Sequence, residues 1–182
     1  MNTDMIISET FDKIVGLYCW DVYYNKHLNL CMSFGQPVMR IREPESVDSP
    51  NEGFRIRRAH RLITVRGEWW LWVLSAYWKL SVKDFGEVTR VSSISKMKRG
   101  LSLLDGQILT NVQVNPKTAA TEMEFDLGAK LSIRRRSVQH EGDMWSLYQP
   151  NSHVLSVRAD GKNQDEPGDT ASDELEWKPI AE

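Results

Sequence analysis

At 182 residues the chain has the length of one domain, and a domain of that size buries roughly 70% of the surface its unfolded form exposes, so it needs no disulfide or metal staple. Two cysteines exclude a disulfide scaffold, and the opening "MNTDMIISETF" lacks the basic region, long apolar run and cleavage site of a signal peptide, so a reducing cytoplasm is the expected compartment. The net charge of -2 is unevenly spread: residues 163–182 hold seven acids and one base, which leaves a body of +4, modest for a nucleic-acid binder.

The first element expected is a β-hairpin. With residues 25–27 as its loop, alternation opposes Tyr24 to Leu28, Val22 to Leu30, Trp20 to Met32 and Tyr18 to Phe34, and every pair is apolar. That register sets Cys31 opposite Asp21 and diagonal to Cys19, farther apart than the roughly 3.8 Å between Cβ atoms that a disulfide prefers, so both thiols are expected to be free. Cys19, His27 and Cys31 are the nearest approach to a metal set, but they fall short of a closed tetrahedral site, and no metal or other cofactor is expected. Cys31 beside a carboxylate would also be a poor nucleophile, because the negative charge raises a thiol's pKa.

Next, "FRIRRAHRLITVR" carries Arg55, Arg57, Arg58, Arg61 and Arg66 with no acid among them. Read as a strand it puts Arg55 and Arg57 on one face, and "RRR" at 134–136 makes a second basic cluster. Arg55, Arg57, Arg58, Arg134, Arg135 and Arg136 are therefore the candidate partner-binding residues. The competing readings are a solvated strand face or charge-protected edge, an acidic protein partner, and single-stranded nucleic acid, which the small body charge disfavours.

The run "GEWWLWVLSAYWKL" at 67–80 alternates with period two. Trp70, Trp72, Leu74, Ala76, Trp78, Leu80 and Val82 are all apolar, whereas the odd positions turn polar after Val73. One central strand is expected, with Trp70, Trp72 and Trp78 buried and Trp72→Ala costing on the order of 3 to 5 kcal/mol. The run is far shorter than the roughly 20 residues that span a bilayer, so no membrane segment is expected. Trp69, Tyr77 and Lys79, on the odd face, are the candidates for a ligand wall.

"SSISKMKRGLSLLDG" then shifts to helical spacing, with Ile94, Met97, Leu101 and Leu104 on one side and Gly106 beyond the end, which predicts an amphipathic helix over 92–105. Strands return at 108–114, in a hairpin about Gly128 pairing Phe125 with Leu131, Met123 with Ile133 and Asp126 with Lys130, and in "DMWSLY" and "HVLSVRA" joined by "QPNS". Nine or ten strands and one helix make the fold class α+β, mainly antiparallel β, as a curved multi-stranded sheet or two related halves. Residues 1–162 form the globular domain. The polar, acidic 163–182 cannot bury enough surface to offset the entropy of ordering it and reads as a mobile tail, with "LEWKPI" able to dock. Pro50-Asn51 with Arg58-Ala59 is echoed by Pro150-Asn151 with Arg158-Ala159, which points to duplicated halves at about 15–66 and 107–160.

"LDGQIL", "FDLGAKLSI" and "WSLYQPNSHVLSVRADG", spanning about residues 100–162, resemble a loosely defined group of small, uncharacterised bacterial proteins, some similar to immunity proteins of polymorphic toxin systems. The resemblance lies in glycine turns and core positions. It implies a fold and a toxin-covering role, and brings no catalytic residue.

The chain has no glycine-rich phosphate loop, nucleophile elbow, paired helical histidines or C-x-x-C. Two classes of function therefore stand: a non-enzymatic cytoplasmic protein-binding domain, plausibly of the immunity type, or a small enzyme or ligand-binding domain with an aromatic pocket on the tryptophan strand.

Overall fold

The alternating runs and turn residues of this chain give antiparallel strands at nearly every place where the pattern is read. The computed structural model describes residues 3–25, 29–137 and 142–180. Its elements are α1 (Thr3–Asp12), β1 (Cys19–Tyr24), β2 (Leu30–Arg42), α2 (Glu52–Arg58), β3 (Leu62–Val73), β4 (Tyr77–Val82), β5 (Gly86–Thr89), α3 (Ile94–Leu104), β6 (Leu109–Val114), β7 (Thr121–Phe125), β8 (Lys130–Arg134), β9 (Asp143–Tyr148), β10 (His153–Arg158), β11 (Lys162–Pro167) and β12 (Lys178–Pro179). The fold is α+β and mainly antiparallel, with a seven-stranded sheet ordered β1-β2-β3-β9-β10-β11-β12 and a five-stranded sheet ordered β5-β4-β8-β7-β6.

One core joins the two sheets. The inner face of the larger sheet brings up Met32, Leu71, Leu147 and Leu155, with Leu30, Val73, Trp145 and Val157 in the next row; the smaller sheet answers with Trp78, Leu80, Met123, Leu131 and Ile133. Trp145 Nε1–H donates to Thr121 Oγ1 at 2.9 Å across the gap, which satisfies an indole that would otherwise be buried without a partner. α1 adds Ile7 and Phe11, and the turn after it Ile14, with Phe11 edge-on to Trp145 at 5.3 Å. α3 starts at its N-cap Ser93, whose Oγ accepts from Lys96 N–H, and buries Met97, Leu101 and Leu104 as its spacing predicts, whereas Ile94, expected on the same side, is exposed in the first turn.

Several expectations are corrected. The tryptophan run is two strands in two sheets. Trp69, Leu71 and Val73 face the core in β3, and Ala76 of the connection and Trp78, Leu80 and Val82 of β4 face it next, because the chain bends at 74–76 as it crosses between sheets that look at each other. Trp78 is buried as expected, but Trp70 and Trp72 lie on the outer face and are only half-buried.

The first hairpin pairs Cys19 with Phe34, Trp20 with Ser33, Tyr23 with Cys31 and Tyr24 with Leu30, one residue or more away from the expected register, around a bulge at Asp21 with φ 52°. β2 runs between two neighbours and Cys31 and Ser33 are as buried as Met32, so no polar face opposed the slip. Lys26 and His27 of the expected loop, and Leu28, expected opposite Tyr24, lie outside the described residues. At the later hairpin the turn is 126–128, with Gly128 at φ 87°, so Met123 pairs with Leu131 and Thr121 with Ile133. That shift of two residues leaves every side chain on its expected face.

The segment expected as a tail is part of the sheet. β11 pairs with β10 from Lys162 to Pro167, β12 pairs with β11, Asn163 and Gln164 are buried, and Ile180 is fully buried. A domain boundary at 162 would cut through a ladder whose backbone hydrogen bonds, not apolar side chains, hold the strand. The internal echo fails as well: Asn51 caps α2, whereas Pro150-Asn151 sits in the β9–β10 turn. β1–β3 and β6–β8 belong to different sheets, so 15–66 and 107–160 are not equivalent halves.

Two helices were not expected. α1 carries Ile7 and Phe11, with Ile14 just past its end, at helical spacing, a signal that the sequence does offer. α2 is seven residues long with no buried residue, and its Arg-Ile-Arg alternation imitates a strand.

Candidate functional site

Beyond Phe34, β2 and β3 leave the sheet together as a two-stranded arm. At its root the register shifts between Phe34 and Pro37, and a Cβ on Gly67 would meet Phe34 O at 2.5 Å and Phe34 N at 2.7 Å, so only glycine lets the strands cross there. β1 pairs with β2 no further than Phe34, and β9 with β3 no further back than Trp70, so both edges of the arm are open.

Cross-strand pairs define the arm's faces. Met39 opposes Val65 and Ile41 opposes Ile63 on one face, all apolar and 50% to 62% exposed. The other face pairs Val38 with Arg66, Arg40 with Thr64 and Arg42 with Leu62. The tip is α2, which sets out Phe54 and Ile56, both exposed. It is tied down by guanidinium contacts: Arg42 Nη2 donates to Arg57 O at 2.5 Å and to His60 O at 3.3 Å, Arg58 pairs with Glu45 at 3.3 Å, and Arg61 pairs with Glu43 at 2.7 Å. Contiguous exposed apolar faces are uncommon on monomeric soluble proteins.

Arg55, Arg57 and Arg58 were expected on a strand face; the structure places all three on α2 at the arm's tip. Arg58 is engaged by Glu45 and lies over the Phe54 ring at 5.6 Å, while Arg40, Arg55 and Arg57 have no carboxylate partner among the described residues. Arg134 ends β8 in the other sheet and pairs with Glu122 at 3.2 Å; Arg135 and Arg136 follow it. The two arginine clusters therefore do not form one surface.

The expected ligand wall is not assembled. Trp69 is in the core beside Phe34, whereas Tyr77 and Lys79 lie on the outer face of the smaller sheet, sharing a shallow hollow with Ser132 and Arg134. Charges there are matched pair by pair, Lys79 with Glu87 at 2.8 Å, Lys130 with Glu124 at 2.6 Å and Arg134 with Glu122. The Lys79 ammonium beside Glu87 holds that carboxyl below its usual range. This is a solvated, self-neutralised face.

The outer face of the larger sheet is different. Successive pairings bring Tyr23, Cys31, Trp72, Ser146, Ser156 and Gln164 into one row across the strands, with Ser33, Trp70, Tyr148 and Val154 beside it. Trp70 and Trp72 meet edge to face at 4.6 Å, Tyr148 lies 5.3 Å from Trp70, and Arg66, paired with Asp21 at 2.7 Å, sits over Trp70 at 4.8 Å. Burial pushes the Cys31 thiol up to about 11 and the Tyr23 phenol, beside it, up to about 12. Burial also raises the Asp143 carboxyl, which Arg158 partly offsets. Cys19, on the inner face, is raised first by burial and then by Asp105, so the two thiols lie on opposite faces and share no site.

Sequence reasoning found the arginines at the arm's tip but missed its apolar face, since alternating Val, Met and Ile read equally well as core. It saw the tryptophans but assigned the wrong parity to the wall. The chain matches no protein-family model, no curated protein and no solved structure. No described helix is long and apolar enough to cross a membrane.

Proposed function

We propose that the domain is a non-enzymatic protein-binding module that engages its partner through the β2–β3 arm. The observation that carries this is the exposed apolar face of Met39, Ile41, Ile63 and Val65 on an arm with two open edges. Arg40, Arg55 and Arg57 add positive charge without carboxylate partners, so the complementary surface is an apolar patch rimmed by acids. A bacterial, cytoplasmic immunity-type protein that covers a toxin domain is the specific form of this reading; it is supported by the resemblance over 100–162 and is in keeping with a binding surface carried on a projecting arm.

The test is affinity capture from the source organism's lysate with the wild type, a Met39→Asp/Ile63→Asp variant and an Arg55→Glu/Arg57→Glu variant. All four positions are exposed and outside the core, so both variants keep the fold. A stoichiometric partner lost with the aspartates, and bound more slowly and with altered salt dependence by the glutamates, is the expected result. Equal capture by the aspartate variant, or no specific capture by the wild type, overturns it.

A further inference from the structure

The outer face of the seven-stranded sheet holds a second site, built from different residues than the arm. Residues 168–177 form a strap across this face, and its ends are fastened: Gly168 N–H donates to Ser152 O at 2.8 Å, and beyond it Ile180 N–H donates to Gly161 O at 2.9 Å. Between strap and sheet lies an open cleft of about 250 Å³ with Trp72, Tyr148 and Trp177 as aromatic walls. That is smaller than a drug-sized pocket and suited to a single substituted ring.

Its polar groups are specific and incomplete. Gln164 is only 6% exposed, lines the cleft, and has an Oε1 with no hydrogen-bond partner among the described residues. Trp72, another lining residue, has a buried Nε1–H with no acceptor among the described residues. Ser146 and Ser156 hydroxyls bond each other at 2.8 Å, and since that uses one proton of the two, the other is left to donate. Asp143 contributes a carboxylate to the same lining. A buried polar atom without a partner costs free energy that a matching ligand recovers.

A ligand matched to this lining donates to Asp143, accepts from the serine pair and lays an apolar face on aromatic rings; to pair as well with Gln164 Oε1 and Trp72 Nε1, which are closed off from solvent, it must first part the side chains over them. Hydroxyl groups on a saturated ring meet all three demands, since each both donates and accepts, and the ring's C–H hydrogens lie against the electron-rich aromatic faces. An anion would face Asp143, and the nearby cation, Arg158 over the Trp177 ring at 4.8 Å, is already paired with Asp160 at 3.2 Å. A methylated ammonium would suit the rings and Asp143 but would offer no acceptor to the serine hydroxyl left to donate. We propose that this cleft binds a neutral monosaccharide ring, free or at the end of a glycan.

The experiment follows the tryptophan indole N–H signals in nitrogen–proton correlation spectra of the full chain. The titrants are glucose, galactose, mannose, N-acetylglucosamine and their methyl α-glycosides, with choline chloride and sodium phosphate in parallel. The expected result is a saturable shift of the Trp72 indole signal with at least one sugar, weakened about tenfold or more by Gln164→Met, which keeps the side chain's bulk, and by Trp177→Ala at the rim. Equal binding of a sugar and its methyl glycoside marks a glycan-end site, and loss on methylation marks a free sugar. No saturable shift with any sugar, unchanged binding in both variants, or saturation by choline or phosphate alone overturns the proposal. Met39→Asp/Ile63→Asp leaves the sugar shift unchanged, so failure here and failure of partner capture are separate results.

Discussion

Two tryptophans six residues apart show how much a single side chain's meaning depends on its face. Trp78 is 1% exposed and sealed between the sheets, so Trp78→Ala should cost about 3 to 5 kcal/mol in denaturant unfolding. Trp72 stands on the half-buried outer face, and its replacement by Ala should cost only about 1 to 2 kcal/mol. Equal losses would mean that the outer face is as well sealed as the core. The thiols make a second test. Cys31 is held neutral by burial up to about 11, whereas an unfolded thiol ionises near about 8.5. The unfolded chain therefore releases its proton first, and stability that is whole below about pH 8.5 should fall as pH rises toward 11. Thermal midpoints measured from pH 7 to pH 10.5 should be flat and then decline, with part of the decline removed by Cys31→Ala. At pH 8 the native protein should resist iodoacetamide at both cysteines, since the thiolate is the nucleophile.

At the scale of elements, the arm and the C-terminal strands behave in opposite ways to what their composition suggests. The arm is rich in Val, Ile and Met yet stands in solvent; β11 is Lys-Asn-Gln-Asp-Glu-Pro yet lies within a sheet. The arm turns on Gly67, where a methyl group would meet backbone atoms of Phe34 that cannot retreat, so Gly67→Ala should cost about 1 to 3 kcal/mol. A neutral result in urea unfolding would show that the root is more pliant than its contacts imply. For β11, hydrogen exchange should divide the C-terminal segment: amides bonded within 162–167 exchange slowly, and those of the strap at 169–176 exchange fast. Truncation from Gly161 removes a paired strand together with buried Asn163, Gln164 and Ile180, and should lower the unfolding midpoint clearly. An unchanged midpoint would restore the tail.

The whole molecule divides its labour between surfaces. The smaller sheet's outer face neutralises its own charges; the arm offers apolar area; the larger sheet's outer face keeps unsatisfied polar groups beneath a strap. Because residues 39–64 contribute nothing to the shared core, replacing them by a short turn, which keeps Arg66 on Asp21, should leave a cooperative domain of nearly the same stability and abolish partner capture. Loss of the fold on this replacement would make the arm structural and remove the basis for a binding role.

The sequence by itself determined what depends on neighbours along the chain. Alternation with turn residues made the class antiparallel, helical spacing with Ser93 and Gly106 placed α3, and "QPNS" joined β9 to β10. The thiols' freedom was likewise expected from spacing, though from a register that proved wrong. Tertiary structure alone decided which parity of the tryptophan run met the core, because two facing sheets reverse the inward direction when the chain crosses between them at 74–76. It also decided that 162–167 should be ordered, since a strand edge supplies backbone partners that no composition records. Finally, it left Met39, Ile41, Ile63 and Val65 uncovered: their pattern prepares an apolar face, and only the shape of the rest of the molecule determines whether anything in the chain lies against it.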